Sequence, residues 1–486
     1  MKTQAILSLL LAFCAGAETK LPTIIGDYMV LQQKQENLIW GWDDPEVDVT
    51  VKIGDQSHKA KADKSGRWEV RLAPMPASAE PKEMKVTGSS EISLKEILVG
   101  EVWICAGQSN MEWDVNSSFG AELAALDADQ PEIRFVTIPH HGTQELQTSF
   151  SGKWESCSPQ TAGGFSAIGY YYGKLLSDVL KVPVGLIDNS WGGSAAEAWV
   201  RRDLLDQDPR FKKHIGEWQA REAAAETDPT KKAELIVEQA LRERPGNIYA
   251  GGLFPVLGYG MRGVIWYQGE TNVGRAYQYN DLMTLLISSW RKDWKQGDFP
   301  FYFVQLADFQ DVTRQPGDSD WAELREAQSH TLRDVKNTGQ AVIIDLGQAN
   351  DIHPREKRAV AERLARWALA KDYGYKIEHR SPEYKAMEIK DGKAILSFDH
   401  VGGGLVTSDI NETRGFAICG ADKKWLPAAA KITEGNRIEV SAAEVSVPVA
   451  VRYAWDNNPI CNVVSKEGLP MTPFRTDDFP MITMPK

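Results

Sequence analysis

Apolar and polar positions change period twice along the chain, and each change marks a different architecture. From about residue 20 to 97, "VDVTVKIG" and "GRWEVRLA" alternate with period two, the spacing of a strand with one buried face. Gly54-Asp55, Ser65-Gly66 and the Pro74/Pro76 pair punctuate these runs, so the stretch predicts short strands in a small sandwich-like module. From 98 to 374 the alternation gives way to continuous apolar runs: "EVWICAG", "VPVGLID", "RGVIWYQ", "FYFVQLA" and "AVIIDLG". Helical patterns such as "AIGYYYGKLLSDVL" and "YNDLMTLLISSWRKDW" separate them. Buried strands alternating with helices predict a parallel sheet covered on both faces. The charged stretch 203–244 reads as a helical excursion on the outside of that layer. From 375 to 486 period two returns in "KAILSFDH", "RIEVSAAEV" and "PVAVRYAW", which predicts a C-terminal β-rich module. There is no internal repeat and no low-complexity linker.

Length and composition agree with three such modules. The chain has 486 residues, 42% hydrophobic and 25% charged, against roughly 100–200 residues per domain. Lys and Arg number 55 against 67 Asp and Glu, a net charge of −12 that repels polyphosphate and excludes a nucleic-acid partner. Sixteen Trp and fourteen Tyr hint at stacking surfaces for sugars, although most read as core and strand residues. The first seventeen residues read as an address: Lys2, the apolar run Ala5–Ala12 and Ala15-Gly16-Ala17 form a cleavable signal peptide over 1–17. Export to the periplasm or the extracellular space is expected. Phe13 before Cys14 is too bulky for a lipoprotein cleavage site, and no later run is long enough to insert in a membrane. Cys105, Cys157, Cys419 and Cys461 remain after cleavage. They allow three pairings or four free thiols; a Cys419–Cys461 bridge within the C-terminal module is the favoured pairing. No C-x-x-C pair occurs, and no metal or cofactor is expected.

In an open parallel sheet, ligands bind at the carboxyl ends of the strands, so the polar residues that follow each apolar run are the candidates for chemistry. Gly107-Gln108-Ser109-Asn110-Met111 follows "EVWICA"; it displays Ser109 as a nucleophile or forms an ordinary Ser-Asn turn. Ser190-Trp191-Gly192-Gly193-Ser194 follows "VPVGLIDN". There Ser194 and Glu197 make a capping box for the helix "AAEAWV", while Gly192 and Gly193 leave backbone N–H groups bare for an oxyanion. In Gln268-Gly269-Glu270-Thr271-Asn272, Gln268 and Asn272 can donate amide hydrogens to developing negative charge. Glu270 can orient a substrate hydroxyl or pin the loop. In Asn350-Asp351-Ile352-His353-Pro354, Pro354 suits the first turn of "REKRAVAERLARWALAK", whose Val360, Leu364 and Trp367 form one apolar face. His353 then stands at the mouth of that helix as the general base, and Asp351 two residues before is its acid partner. An adjacent carboxylate favours the charged ring, which would raise the pH at which such a base protonates.

Taken in order, G-Q-S-N-M around Ser109, the W-G-G-S turn, W-Y-Q-G-E-T-N and D-I-H-P resemble the sialate O-acetylesterase family, within the wider SGNH (GDSL-like) hydrolases. "WAELREAQ" around Trp321 and Arg325 is similar to that family as well. The resemblance implies an α/β fold, a three-layer α/β/α hydrolase domain with flanking β-sandwich-like modules. It also implies a secreted carbohydrate esterase that removes O-acetyl groups from sugars through a serine acetyl-enzyme, without a cofactor. The sequence departs from the wider pattern in two places. Many such enzymes carry the acid three residues before the histidine, where this chain has Asn350, so the partner is Asp351 or a backbone carbonyl. The third block offers two amides, Gln268 and Asn272. Three alternatives stay open: an esterase of acetyl xylan or another glycan, a non-catalytic secreted sugar-binding protein and, last, a peptidase using the same dyad. The sugar, the acetyl position and the oligomeric state are not legible.

Overall fold

The computed structural model of the protein describes residues 18–485; the signal peptide expected over Met1–Ala17, with Cys14, lies outside them. Its central sheet is built from strands β1 (Glu91–Gly107), β2 (Gln130–Thr137), β3 (Glu155–Cys157), β4 (Val184–Ser190), β5 (Gly263–Tyr267), β6 (Phe301–Val304) and β7 (Thr338–Ala341). They lie in the order β7-β6-β5-β1-β4-β2-β3, parallel throughout except for the edge strand β3. Every residue of β4 to β7 is buried, as continuous apolar runs require in a sheet covered twice. Five helices matter for the site: α1 (Ser109–Glu112), α2 (Ala167–Leu180), α3 (Tyr279–Trp294), α4 (Asp320–Asp334) and α5 (Lys357–Lys371). The helices α2 and α5 pack as one pair and α3 and α4 as another, which completes an α/β/α layering. The excursion at 203–244 folds as one long helix, Lys212–Thr227, and several short ones over their own cluster of Trp218, Ala225, Leu235 and Ala240.

Strand β1 is shared between two modules. Its first half alternates buried and exposed residues and pairs antiparallel with Ser78–Thr87 of the N-terminal module. Its second half is wholly buried and runs between β4 and β5. The boundary expected at residue 97 therefore falls inside one strand, where the period changes from two-sided to fully buried.

The run "AVIIDLG" ends differently from its expectation as a strand. The ladder stops at Ala341, opposite Val304. Val342 and Ile344 stay buried but join the core of the C-terminal module, beside Leu396, Ile418 and Val451. The run is apolar because it bridges two cores. Beyond it stand two four-stranded antiparallel sheets and a two-stranded ribbon, Leu405–Thr407 with Val463–Ser465. The favoured Cys419–Cys461 bridge is absent: all four cysteines are free thiols. Cys419 ends a strand opposite Ala450, while the Cys461 side chain packs against Gly415, and burial pushes its thiol up to about 12. Trp68, Trp103, Trp154, Trp199, Trp266 and Trp290 are sealed in the core, so these indoles are packing groups rather than sugar platforms. Among the described residues no helix is long and apolar enough to cross a membrane.

Arg325 of α4 fastens the hydrolase domain to the C-terminal module. Its guanidinium is fully buried and donates to four carbonyls: Leu306 (2.9 Å) and Ala307 (2.7 Å) after β6, and Asp456 (2.6 Å) and Asn457 (2.9 Å) in the C-terminal module. Burial pushes it down to about 10, so it is still charged at neutral pH. Removing the donors strands four carbonyls. Arg325→Met should therefore lower the unfolding free energy by about 3–5 kcal/mol. Urea denaturation measures this, and a loss under about 1 kcal/mol would mean that water replaces the guanidinium.

Candidate active site

The site is built where β1 ends. Gly107 has φ 134°, and a Cβ there would lie 2.1 Å from the Tyr267 carbonyl oxygen, so only glycine lets the chain turn tightly against β5. The turn leads at once into α1, whose first residue is Ser109. His353 comes from the loop between β7 and α5, 244 residues further along. Its Nε2 lies 2.8 Å from Ser109 Oγ. The Trp113 indole stacks on the imidazole at 4.7 Å and 15°, which holds the ring in the plane that faces the serine. A hydroxyl and a neutral imidazole at this distance can exchange a proton.

Asp351 stands close to this pair without a full triad contact. Its Oδ1 accepts the backbone N–H of His353 at 2.8 Å and lies 3.6 Å from Nδ1, a charge contact beyond hydrogen-bond length. The expected upward push on His353 is overturned. Burial, and then the neighbouring Lys357 ammonium, hold the imidazole below the usual histidine range, and they outweigh Asp351 and Glu112. Asn350 is exposed and Pro354 precedes the helix: α5 starts at Lys357, with Glu356 accepting the Ala359 N–H as its cap. The apolar face is as expected, with Val360, Leu364 and Trp367 buried.

Gly192 is brought against the serine; a Cβ there would lie 3.3 Å from Ser109 Cβ. Its N–H donates to Glu112 Oε2 at the end of α1. The other oxygen of Glu112 lies 3.1 Å from His140 Nε2, and the His140 ring lies flat on Trp191 at 4.7 Å and 5°. That hydrogen bond to Glu112 raises His140 above its ordinary value. Gly193, at φ 70°, lies under the Arg242 guanidinium and is removed from the serine by one residue.

The capping box does not form. Ala196–Trp199 is a single 3₁₀ turn whose cap residue, Ala195, contributes no side-chain bond. Ser194 Oγ accepts from Trp199 Nε1 instead (3.1 Å), and Glu197 is turned away to Asn272 and Arg275. Nor do the two amides point at the serine. Gln268 Nε2 donates to the Ser194 carbonyl (3.0 Å) and to Asn272 Oδ1 (2.7 Å), and Asn272 Nδ2 donates to Glu197 Oε2 (2.8 Å). Both side chains are fully buried and brace the Ser194 and Glu270 loops against each other. Glu270 likewise faces inward: Oε1 accepts from Asn110 Nδ2 (2.6 Å), and burial pushes its carboxyl up.

Five residues that line or support the site were not singled out from the sequence: Asn110, Glu112, Trp113, His140 and Lys357. Three of them sit within four residues of Ser109. Lys357 did leave a signal, since 357, 360, 364 and 367 share one helical face, which places a lysine on the apolar stripe of α5.

Comparison with known proteins agrees with this architecture. A family profile for "carbohydrate esterase, sialic acid-specific acetylesterase" matches residues 255–370. Sialate O-acetylesterase of Mus musculus is 29% identical over 95% of this chain and 94% of its own length. The Homo sapiens enzyme is 29% identical over 92% and 89%. The crystal structure of a carbohydrate acetylesterase from Xanthomonas citri superposes with a TM-score of 0.84 at 35% identity, over 95% of this chain and all of that one. Fold and relatives together define a hydrolase acting on carboxylic esters. The chain belongs to a family of carbohydrate acetylesterases and is similar along most of its length to sialate O-acetylesterases.

A methyl group at Gly192 would crowd both Ser109 and the Glu112 carboxylate, 2.9 Å away. Gly192→Ala should lower kcat on a small acetyl ester by roughly 3- to 10-fold, since Ser109 must give way by a few tenths of an ångström, where about 1 Å of misplacement would cost roughly 100-fold. Thermal unfolding should scarcely move. An unchanged kcat would remove Gly192 from the reacting centre.

Proposed function

We propose that the protein removes O-acetyl groups from sugars, sialic acids in particular, through a Ser109 acetyl-enzyme. The observation that carries the reading is the 2.8 Å contact between Ser109 Oγ and His353 Nε2 at the carboxyl end of a central parallel strand. His353 takes the hydroxyl proton as Oγ attacks the acetyl carbonyl. The oxyanion is received by the N–H of Ser109, which opens a helix and has no intrahelical acceptor, and by the N–H of Gly192. Glu112 must yield that second donor, moving toward His140, as the negative charge develops. The alcohol of the sugar leaves with the proton from His353, and water activated by the same ring releases acetate. Asp351 favours the imidazolium by charge alone. Similarity over most of the chain to sialate O-acetylesterases supports sialic acids as the sugar. The likeness to a carbohydrate acetylesterase of Xanthomonas citri does not single out sialic acids, so acetyl esters of other glycans such as xylan are a second reading. The signal peptide expected at residues 1–17 would bring the enzyme to such substrates outside the cytoplasm.

Acetate release from O-acetylated sialic acids, acetyl xylan and acetylated mucin separates the two sugars; no release from any of them would sink the esterase reading. Ser109→Ala should cost at least about 10³-fold in kcat with the fold intact. Asp351→Asn should cost only about tenfold, with little change in KM, because the carboxylate lies 3.6 Å from Nδ1 rather than bonded to it. A loss of about 10⁴-fold would mean that the carboxylate closes onto the ring when substrate binds. The base must be neutral, and its pKa is held down, so the rate should fall on acidification only below the usual histidine value of about 6.5. The kcat/KM profile of the wild-type enzyme measures where that limb lies.

A further inference from the structure

Behind the Ser109–His353 pair lies a second set of polar groups that the mechanism leaves unused. Lys357 and Asn110 are each only 1% exposed. Lys357 Nζ donates to Asn110 Oδ1 at 2.5 Å. Asn110 Nδ2 donates both to Glu270 Oε1, at 2.6 Å, and to the Ile352 carbonyl, at 3.0 Å. The second oxygen of Glu270 is buried without a partner. The Lys357 ammonium also lies 5.8 Å from the ring centres of Trp113, the indole stacked on His353, and of Tyr267. The three residues come from three different strand ends: the turn after β1, the loop after β5 and the first residue of α5.

We infer that Lys357, acting through Asn110 and Glu270, is a positioning residue that registers the nucleophile turn against the histidine loop and places a cation beside the catalytic base. The inference rests on the histidine-base mechanism proposed above. Simple charge neutralisation would need only a direct Lys357–Glu270 pair. Here an asparagine stands between the two charges, and it is the residue next to Ser109. Its amide also holds the carbonyl next to His353, so one side chain ties the nucleophile turn to the base. The ammonium has a second effect, through space. His353 faces Asp351 and Glu112, which favour its charged form, and Lys357, which opposes it. Lys357 in turn faces Glu270 and Asp351, and burial pushes it down to about 7. Where it carries its proton, it opposes a charge on the ring. Removing that cation makes the imidazolium easier to form and must move the acid limb of the rate upward in pH.

The test is the pH dependence of kcat/KM for p-nitrophenyl acetate, measured on the full chain. Lys357→Met keeps the apolar stem and removes the charge. Its acid limb should rise by about half a pH unit or more, with a lower plateau as the two loops lose their register. Lys357→Arg keeps a cation, and its limb should stay at or below the wild-type position. A purely structural lysine would lower the plateau without moving the limb. Should Lys357→Met fail to fold, the double variant K357M/E270Q, which buries no charge at either position, should show the same upward shift. A wild-type limb that these charge-removing variants leave in place overturns the inference alone. A wild-type profile without an acid limb overturns the histidine mechanism and the inference with it.

Discussion

At the end of β1 the backbone passes so close to the Tyr267 carbonyl that no side chain fits at Gly107, and much of the site follows from that contact. The close approach lets β1 turn straight from the sheet into α1. Ser109 is thereby displayed on a turn gripped on both sides, by β5 through the Gln108 N–H to Tyr267 and by β4 through the Trp191 N–H to Gly107. Because β1 is central and its second half is wholly buried, the turn has little freedom to move. Gly192 approaches the serine from the next strand end, and a Cβ there would lie 3.3 Å from Ser109 Cβ, a tight contact. A nucleophile on an edge strand would have neither neighbour.

Around this rigid turn the protein buries more charge than is usual beside a hydrophobic sheet. Lys357 and Glu197 are enclosed and Glu270 is partly so, and each is tied to a polar partner: Lys357 and Glu270 to Asn110, Glu197 to Asn272 and Arg275. A buried charge deprived of its partner is costly, so such clusters specify loop geometry as much as they stabilise it. The consequence for His353 is a contest between desolvation with Lys357 on one side and Asp351 with Glu112 on the other, which the first pair wins. A carboxylate two residues away in sequence is thus weaker than a lysine four residues away, because the carboxylate is half-exposed and already bonded to a backbone N–H, whereas the lysine is sealed in.

The same logic accounts for Gln268 and Asn272. A side-chain amide at a strand end can face the reacting serine or the protein interior, and sequence alone does not distinguish the two. Both turn inward, because Ser194, Glu197 and Ala196 present buried carbonyl, carboxylate and N–H groups at hydrogen-bond distance. They hold the loops that carry the site rather than the reacting atoms.

Local pattern alone determined much of this protein. Ala167–Leu180 and Tyr279–Trp294 are helices over the residues whose periodicity marks them, and four of the five apolar runs became central strands, because burial on two faces leaves an unmistakable composition. The strand-end rule pointed to Ser109 and His353, which meet at 2.8 Å although 244 residues apart. Tertiary structure decided what depends on distance and enclosure. The fifth run, Val342 and Ile344, went to a second core, since an apolar residue carries no mark of which core will bury it. The four cysteines stayed apart, the Ser194–Glu197 spacing found other partners, and Lys357 became the charge behind the base. Hydrogen-bond partners and electrostatic environment are properties of the assembled interior, and no local spacing encodes them.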